Sequence, residues 1–454
     1  MPTKWSDRLV RLRGKVAITT MAGIVAAGVP AQALAATMPS IDSGVAVDGP
    51  TIGDHHDVLG TWVPSDLLGD AFVVVTPGTD DDGVFPRNNG LVGDRQSKIV
   101  QYPQSFGPFI GGRSGHLVPF FAPSYDESRD IAVDRNLQIM EAFQNADRVV
   151  VFTGFSQGAE ALGNAAEIAA DRGLPGENTL VLLMSDPRSP WGIKSGLQDL
   201  PFSAPVMAFL GAESNGARDP GRTGDTKVVQ VVVKGDPVAG WQWDPVRPVS
   251  SLLVNGAGFL VIHAGTGKYS YAHLENLDHE ATYYSKNGNT TYEVYDTYHP
   301  FALLQYTIAD AMGIEVSDAT MREWDRQAES FYPTQDLTPE TADPNAPMVR
   351  DIPQGRHRLL DDSGQWAAPD AGNARHRAPA HAAPDDSVEV STVVSGDDSG
   401  EGENDAGSSD VAPVDTATVD EAVPEDSADV ADQAPVDAPA DVPQDDEGSA
   451  SADQ

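Results

Sequence analysis

The feature that most constrains the fold is an apolar run that leads directly into a glycine-flanked serine. Val149–Phe152 is continuously apolar, Ser156 stands in the pattern Gly-x-Ser-x-Gly, and an alanine-rich segment follows over Gly158–Arg172. An apolar strand, a sharp turn that needs glycines where backbones approach, and a helix form the context in which a serine is presented as a nucleophile. The start of the helix also stabilises negative charge near the serine. We therefore predict that Ser156 is a nucleophile at the end of a sheet.

Short, nearly continuous apolar runs recur on both sides of this turn. Such runs are typical of strands buried on both faces, as in a parallel sheet that is covered by helices. Segments with helical spacing lie between them, and Asp130–Ala146 has its apolar residues roughly on one face. The alternation of strand and helix predicts an α/β fold with a mainly parallel central sheet. The predicted strands are Phe72–Thr76, Arg148–Thr153, Thr179–Ser185, Val206–Gly211 and Val228–Lys234.

The N-terminal 35 residues have the pattern of a cleaved export signal. A basic start precedes an apolar run over Val16–Val29, and Ala33-Leu34-Ala35 fits an A-x-A cleavage site. The apolar run is shorter than the ~20 residues that a membrane-spanning helix needs. The sequence therefore predicts a protein that is secreted or held in the cell envelope.

The remaining chain divides by composition into three parts. Residues 36–58 are a small, polar lead-in, and residues 59–338 form the predicted α/β domain. In residues 339–454, Pro, Asp and Gly become frequent, and no aromatic residue follows Trp366. A segment of this kind buries too little apolar surface to offset the entropy lost on ordering. We therefore predict a disordered acidic tail over 339–454.

The charge and the absence of cysteine exclude several functions. The chain has 29 Lys and Arg against 68 Asp and Glu, a net charge of −39. This balance disfavours nucleic-acid binding, which needs basic residues on phosphates, and anionic lipid would repel the chain. Without cysteine there are no disulfides, thiolate metal sites or Cys nucleophile. The acidic run Asp80–Asp82 lacks the later Glu of a calcium loop, and we expect neither a metal nor another cofactor.

A serine nucleophile needs a base, and the base needs an acid that orients it. In folds with this turn the order along the chain is nucleophile, acid, histidine. Asp186 and Asp236 both follow predicted strands. We favour Asp236, because it leaves room for the additional strand Val206–Gly211 between the turn and the acid. Asp186 stands before Pro187, where an aspartate commonly begins a turn.

Four histidines follow Ser156 and precede the predicted tail. His279 lies between Asp278 and Glu280 and has the surroundings of a surface residue, and His299 directly precedes a proline. His263 ends an apolar segment that could be a helix, and His273 stands in the sequence Tyr-Ala-His-Leu. Spacing alone does not decide between His263 and His273 as the base.

An oxyanion hole needs N–H donors close to the nucleophile. The backbone N–H of Gln157, directly after Ser156, is the usual first donor in this kind of turn. The loop after the early strand Phe72–Thr76 can supply the second, with Gly78 and Thr79 as the candidates.

Several of these segments together resemble cutinase-like serine esterases, and more closely the PE-PPE-domain hydrolases of mycobacteria and related actinobacteria. Ser185–Gly192 resembles that family's G-D-P-N-R-P-N-G segment, and Gly235–Trp241 is similar to its D-x-x-A-D-x-P acid loop. Gly288–Tyr292, followed by His299–Leu304, resembles its G-N-T-T-Y and H-L-P-L-L ending. The resemblance covers about Gly60–Gly313.

The resemblance implies a cutinase-like α/β-hydrolase that cleaves acyl esters with a Ser-Asp-His triad. The family's histidine stands in a V-H-G-like context, which maps onto His263, and His273 is the alternative because cutinases carry a comparable H-L-x-Y. The PE or PPE module that often precedes this domain is replaced here by the export signal, and the disulfides of cutinases are absent.

The expectation is therefore an exported serine esterase or lipase. It would act as a monomer on acyl-ester or lipid substrates, with no nucleic-acid partner, and it could associate with the cell envelope. The alternative is a non-catalytic cell-envelope or surface protein that retains the hydrolase fold.

Overall fold

The described part of the chain is built around one sheet with helices on both faces. The computed structural model describes residues 39–352 except 54, 82–83, 176–177, 199, 201–202, 210 and 214. The predicted export signal and residues 353–454 of the predicted tail lie outside the described residues. The strands in the described ranges are β1 Ala46–Asp48, β2 Phe72–Thr76, β3 Ser97–Val100, β4 Val150–Phe155, β5 Thr179–Met184, β6 Lys227–Val233, β7 Asp278–Ser285, β8 Thr290–Asp296 and β9 Met348–Val349.

The strand order confirms the predicted α/β fold with a mainly parallel sheet. The order is β1-β3-β2-β4-β5-β6-β8-β7-β9. The six strands from β3 to β8 in this order run parallel, whereas β1 is antiparallel to β3 and β7 is antiparallel to both β8 and β9. All residues of β2, β4 and β5 are buried. Their apolar runs are continuous because helices cover both faces.

The helices form a layer on each side of the sheet. They are α1 Ser65–Leu68, α2 Val84–Val92, α3 Tyr125–Phe143, α4 Gln157–Arg172, α5 Ile193–Gln198, α6 Ser203–Phe209, α7 Pro248–Gly258, α8 Pro300–Ala311 and α9 Asp318–Phe331. Successive strand side chains point to opposite faces. Val73 and Val75 therefore join a core with residues of α2, α8 and α9, while Phe72 and Val74 join a second core with α3 and α4. No helix in the ranges described is long and apolar enough to cross a membrane.

One predicted strand is wrong. The segment Val206–Gly211 was expected to be a strand, and most of it belongs to the helix α6. Met207 is buried, but Phe209 is 73% exposed, so the segment is not buried on both faces. β5 pairs directly with β6 from Leu180 to Met184, which leaves no place for a strand between them. Only β5 therefore lies between β4, which precedes the serine, and β6, which precedes the acid, whereas two strands were predicted there.

The predicted start of the domain at residue 59 is too late. β1 lies in the predicted lead-in and pairs with β3 at the edge of the sheet, with Ala46 opposite Val100. Val45 and Ala46 are buried in the core beneath α3. A strand of three residues is too short to show a period in the sequence, which is why composition alone assigned this segment to a polar lead-in.

The predicted end of the domain at residue 338 is too early. Met348, in β9, pairs with Ser285 at the far edge of the sheet. Asp343 accepts a hydrogen bond of 2.7 Å from the Ser195 hydroxyl, and its N–H donates to the carbonyl oxygen of Pro190. Residues 339–352 are therefore part of the folded domain, although their composition resembles that of the tail.

A truncation series is expected to locate this boundary. A chain that ends after Ile352 should unfold at the same urea concentration as the full chain. A chain that ends after Thr338 loses Ala346 and Met348, which are 1% and 5% exposed, together with the β9 pairing. We expect this loss to lower the free energy of unfolding by about 2–4 kcal/mol. Equal urea midpoints for the two truncated chains would contradict the assignment of 339–352 to the domain.

Candidate active site

The serine turn between β4 and α4 has the geometry that the glycine pattern predicts. Ser156 has φ +54° and ψ −123°, a conformation that side-chain-bearing residues rarely adopt. A Cβ on Gly154 would lie 2.6 Å from the Gly158 carbonyl oxygen, and one on Gly158 would lie 2.1 Å from that of Pro77. The two glycines are therefore required because α4 begins in direct contact with β4 and with the loop after β2.

Ser156, His263 and Asp236 lie in contact in that order. His263 Nε2 lies 3.0 Å from Ser156 Oγ, and His263 Nδ1 lies 3.2 Å from Asp236 Oδ1. Asp236 is fully buried in the turn that follows β6, three residues after Val233. Its Oδ1 accepts a hydrogen bond of 3.0 Å from Val238 N–H, and its Oδ2 accepts one of 2.9 Å from the Tyr271 hydroxyl. The arrangement can transfer a proton from the serine to the imidazole and stabilise the resulting charge.

The position of His263 depends on how α7 crosses the sheet. A Cβ on Gly258 would lie 2.0 Å from the carbonyl oxygen of Gly235, so the end of α7 passes directly over the residue before Asp236. The chain then forms one wide π-helical turn, Phe259–His263. The rings of Phe155 and Phe259 stack on the imidazole, with centroids 5.0 and 4.9 Å away. These contacts place the histidine between the serine and the aspartate.

The buried carboxylate of Asp236 is held in its charged form. Burial by itself would raise its pKa, but the neighbouring His263, together with hydrogen bonds from Ser185 and from the Val238 N–H, lowers it below the usual value. Burial and the negative charge of Asp236 raise the pKa of Tyr271 well above its usual value, so its hydroxyl stays protonated and donates to the carboxylate. Asp236 can therefore balance a positive charge on His263.

Asp186, the other candidate acid, points away from His263. Its Oδ2 accepts a hydrogen bond of 3.1 Å from Arg218 Nε, and its Oδ1 accepts one of 3.0 Å from Arg188 N–H. Arg218 is 1% exposed and also donates to Glu167 of α4 at 2.6 Å. Asp186 therefore belongs to a buried ion-pair network that joins the end of β5 to α4.

A second buried carboxylate anchors the helix that carries the serine. Glu160 lies one turn after Ser156 and contacts Lys194 Nζ at 2.6 Å and an Arg129 nitrogen at 3.2 Å. Burial alone would raise the pKa of Glu160, but Lys194 and Arg129 lower it to about 2. Because Arg129 lies on α3 and Lys194 on α5, this charged cluster links α4 to both helices close to the site.

The other three candidate histidines have their contacts outside the site of Ser156 and Asp236. His273 Nδ1 contacts Glu275 at 2.9 Å, and its side chain is 45% exposed. His279 lies on β7 and contacts Glu293 of β8 at 2.7 Å. His299 caps α8, where its Nδ1 accepts from Phe301 N–H and its Nε2 lies 2.9 Å from the Tyr332 carbonyl oxygen. The structure thus brings His263, and not His273, to Ser156.

The predicted oxyanion donors flank the serine. A Cβ on Gly78 would lie 3.3 Å from Ser156 Cβ, so the loop after β2 runs beside the nucleophile. Gly78 N–H is directed at Asp81 Oδ2 at 3.4 Å, which leaves it less suited to an oxyanion than predicted. Thr79, the next residue, is half-buried. Gln157 is the first residue of α4, so its N–H has no acceptor within the helix.

An ion pair connects this loop to the histidine segment. Asp81 Oδ1 accepts from Arg87 Nη1 at 2.8 Å, and Arg87 Nη2 donates to the carbonyl oxygen of Ala264 at 2.9 Å. Arg87 therefore joins the loop beside the serine to the residue that follows His263. Across the described ranges no group of three or more His, Asp or Glu side chains could hold a metal ion.

Ser185 is the residue of this site that sequence reasoning missed. Its hydroxyl donates to Asp236 Oδ2 at 2.5 Å and lies 2.8 Å from His263 Nδ1. Ser156, Ser185 and Asp236 each follow one of the three adjacent parallel strands β4, β5 and β6. Since the carboxyl ends of such strands meet at one edge of the sheet, a polar residue at the end of β5 was the available signal.

The fold and the site define an α/β-hydrolase, with the serine turn, the acid and the histidine in that order along the chain. Residues 93–305 match the family model for the PE-PPE domain, and this span includes Ser156, Asp236 and His263. The resemblance to the PE-PPE domain that was inferred from the motifs is therefore confirmed over this span.

Solved structures with similarity to this chain include esterases and thioesterases. The type II thioesterase YbtT of the yersiniabactin pathway is 12% identical, with 57% of this chain and 94% of that chain covered and a TM-score of 0.27. An esterase of Pyrobaculum calidifontis is 14% identical, with 63% of this chain and 84% of that chain covered and a TM-score of 0.26. The catalytic core of acetyl xylan esterase from Trichoderma reesei is 18% identical, with 42% of this chain and 92% of that chain covered and a TM-score of 0.26. Similarity this low supports no statement about activity, and no curated protein sequence matches the chain.

Proposed function

We propose that the protein is an exported serine esterase or lipase that hydrolyses acyl esters through Ser156, His263 and Asp236. The observation that carries the proposal is the series of contacts from Ser156 Oγ through His263 to the buried Asp236. An oriented serine, imidazole and carboxylate on a strained turn is the arrangement that covalent acyl transfer requires.

In the first half of the reaction, Ser156 Oγ attacks the acyl carbonyl carbon while His263 Nε2 takes the serine proton. The tetrahedral intermediate collapses, the bond to the alcohol oxygen breaks, and the leaving alcohol takes the proton from His263. Water then attacks the acyl-enzyme, again with His263 as the base, and the acid is released as Ser156 recovers its proton. Asp236 stays ionised throughout and stabilises the imidazolium.

The negative oxygen of the intermediate would lie at the start of α4. The N–H of Gln157 points from the first turn of the helix, where the helix dipole also favours negative charge. The loop of Gly78 and Thr79 beside Ser156 is the proposed source of the second donor. This arrangement stabilises charge only as it develops in the transition state.

The surface next to the histidine favours an apolar acyl group. Residues 248–264 contain no charged side chain, although the whole chain has a net charge of −39. Phe259 stacks on His263 and is 45% exposed. Four further apolar side chains of this segment are more than half exposed: Val249, Leu252, Leu253 and Leu260. An acyl chain that lies along this segment would be removed from water, which supports acyl esters or lipids as substrates.

Labelling with a fluorophosphonate probe tests the proposal against a non-catalytic protein that retains the fold. The folded protein should be labelled once, and the adduct should map to the peptide that contains Ser156. Ser156→Ala should abolish the label, while heat-denatured protein should not react. Failure of the folded protein to react, or an adduct at another serine, would instead support the non-catalytic alternative or a different nucleophile.

A further inference from the structure

Ser185 occupies an unusual position between the acid and the base. It follows β5 directly and is fully buried. Its hydroxyl lies 2.5 Å from Asp236 Oδ2 and 2.8 Å from His263 Nδ1, so one side chain contacts both. The direct distance from His263 Nδ1 to Asp236 Oδ1 is longer, at 3.2 Å.

The positions of the hydrogens on Ser185 and His263 follow from the fact that Asp236 can only accept. The charged carboxylate of Asp236 can only accept, so the Ser185 hydroxyl donates its proton to Asp236. The Ser185 oxygen must then accept from His263, and Nδ1 must carry the hydrogen. In neutral imidazole this leaves Nε2 without a proton and facing Ser156 Oγ at 3.0 Å. Ser185 therefore favours the tautomer in which His263 can act as a base.

The backbone of Ser185 is strained, which indicates that its side chain has a role. Its φ is +56°, in the left-handed region that glycine adopts without cost and other residues rarely adopt. Glycine would fit this position with less strain, so a serine here has a cost that its hydroxyl contacts offset. Strain of this kind is concentrated at functional sites.

We propose that Ser185 is a positioning residue that holds His263 in the orientation and tautomer needed to deprotonate Ser156. The proposal rests on the esterase function proposed above. Ser185 touches no substrate atom in this role and acts only through the imidazole and the carboxylate.

Two substitutions separate this role from a structural one. Ser185→Gly and Ser185→Ala both remove the hydroxyl, but glycine relieves the backbone strain and alanine keeps it. We expect kcat to fall about 10- to 100-fold in both variants, with KM within about twofold, because the base is misplaced rather than the substrate. The melting temperature should be higher for Ser185→Gly than for Ser185→Ala. The two variants should therefore lose similar amounts of activity although they differ in melting temperature.

Tyr271→Phe is the matched comparison. The Tyr271 hydroxyl also donates to Asp236 Oδ2, at 2.9 Å, but it accepts from the Val233 N–H, at 3.0 Å, rather than from the histidine. The Tyr271→Phe substitution should therefore lower kcat less than Ser185→Gly does. An effect on kcat as large as that of Ser185→Gly would show that the charge of Asp236, and not the contact with His263, is what matters.

A proton NMR measurement tests the proposal without turnover. The downfield resonance of the His263 Nδ1 proton should shift or broaden in both Ser185 variants and be retained in Tyr271→Phe. If Ser156 reacts with the fluorophosphonate but Ser185→Gly keeps the wild-type kcat and the same resonance, the positioning role is overturned and the esterase function stands. If wild-type Ser156 does not react, the esterase function fails, and the resonance alone decides whether Ser185 orients the imidazole.

Discussion

Replacement of Ser156 by alanine is expected to lower kcat for a p-nitrophenyl acyl ester by on the order of 10⁶-fold. The substitution removes the attacking oxygen and leaves the rest of the site in place. The melting temperature should change little, because alanine keeps the same strained backbone and loses only the contact with His263 at 3.0 Å. Release of p-nitrophenol, followed spectroscopically on purified protein, measures the loss, and thermal unfolding by circular dichroism measures the stability.

Ser156→Gly is the control for backbone strain at the same position. It should be as inactive as Ser156→Ala, and more stable by about 1 kcal/mol because glycine adopts a positive φ without strain. An inactive but stabilised variant would show that the serine is kept for chemistry at a cost in stability. Activity within about tenfold of the wild type in either variant would mean that another residue is the nucleophile.

His263→Ala is expected to lower kcat by several orders of magnitude, whereas His273→Ala should lower it tenfold or less. His263 Nε2 lies 3.0 Å from Ser156 Oγ, within the reach that a general base requires. The side chain of His273 is 45% exposed and contacts Glu275. Steady-state kinetics of both variants on the same ester gives the comparison, and a severe loss in His273→Ala alone would reverse the assignment.

His299→Ala provides a control for histidines that stabilise the fold. His299 caps α8 and contacts the carbonyl oxygen of Tyr332, so its loss should lower the melting temperature with a much smaller effect on kcat than His263→Ala. Small and equal losses in the His263 and His273 variants, with a large loss in the His299 variant, would contradict the site described here.

The strands and the serine turn could be predicted because their cause is local. The sequence of the turn has glycines on both sides of Ser156 because a Cβ on Gly154 or Gly158 would lie within 2.6 Å of a carbonyl oxygen. The apolar runs of β2, β4 and β5 follow from burial on both faces. An apolar run that is not buried on both faces gave a wrong prediction: most of the strand predicted at Val206–Gly211 belongs to the helix α6, and its apolar Phe209 is exposed.

The edges of the sheet could not be predicted for a different reason. β1 and β9 have three and two residues, too few for a period of alternation to appear. Their pairing depends on the partner strands that the rest of the fold brings to those edges. Composition therefore placed both strands outside the domain.

The choice between the two aspartates shows what a linear pattern omits. Asp186 and Asp236 both follow an apolar strand and both precede a proline. They differ in direction: the carboxylate of Asp236 turns toward His263, and that of Asp186 turns toward Arg218. The sequence favoured Asp236 because of an additional strand predicted at Val206–Gly211, and that strand is not present.

The sequence by itself therefore determined the nucleophile candidate, the α/β fold and the resemblance to the PE-PPE domain, because each depends on motifs whose residues are close together in the chain. Only the tertiary structure decided which aspartate and which histidine meet the serine, and that Ser185 stands between them. His263 is 107 residues from Ser156 and 78 from Ser185, and it reaches both because α7 crosses directly over Gly235. Contacts at such separations depend on the packing of whole elements, which no local spacing encodes.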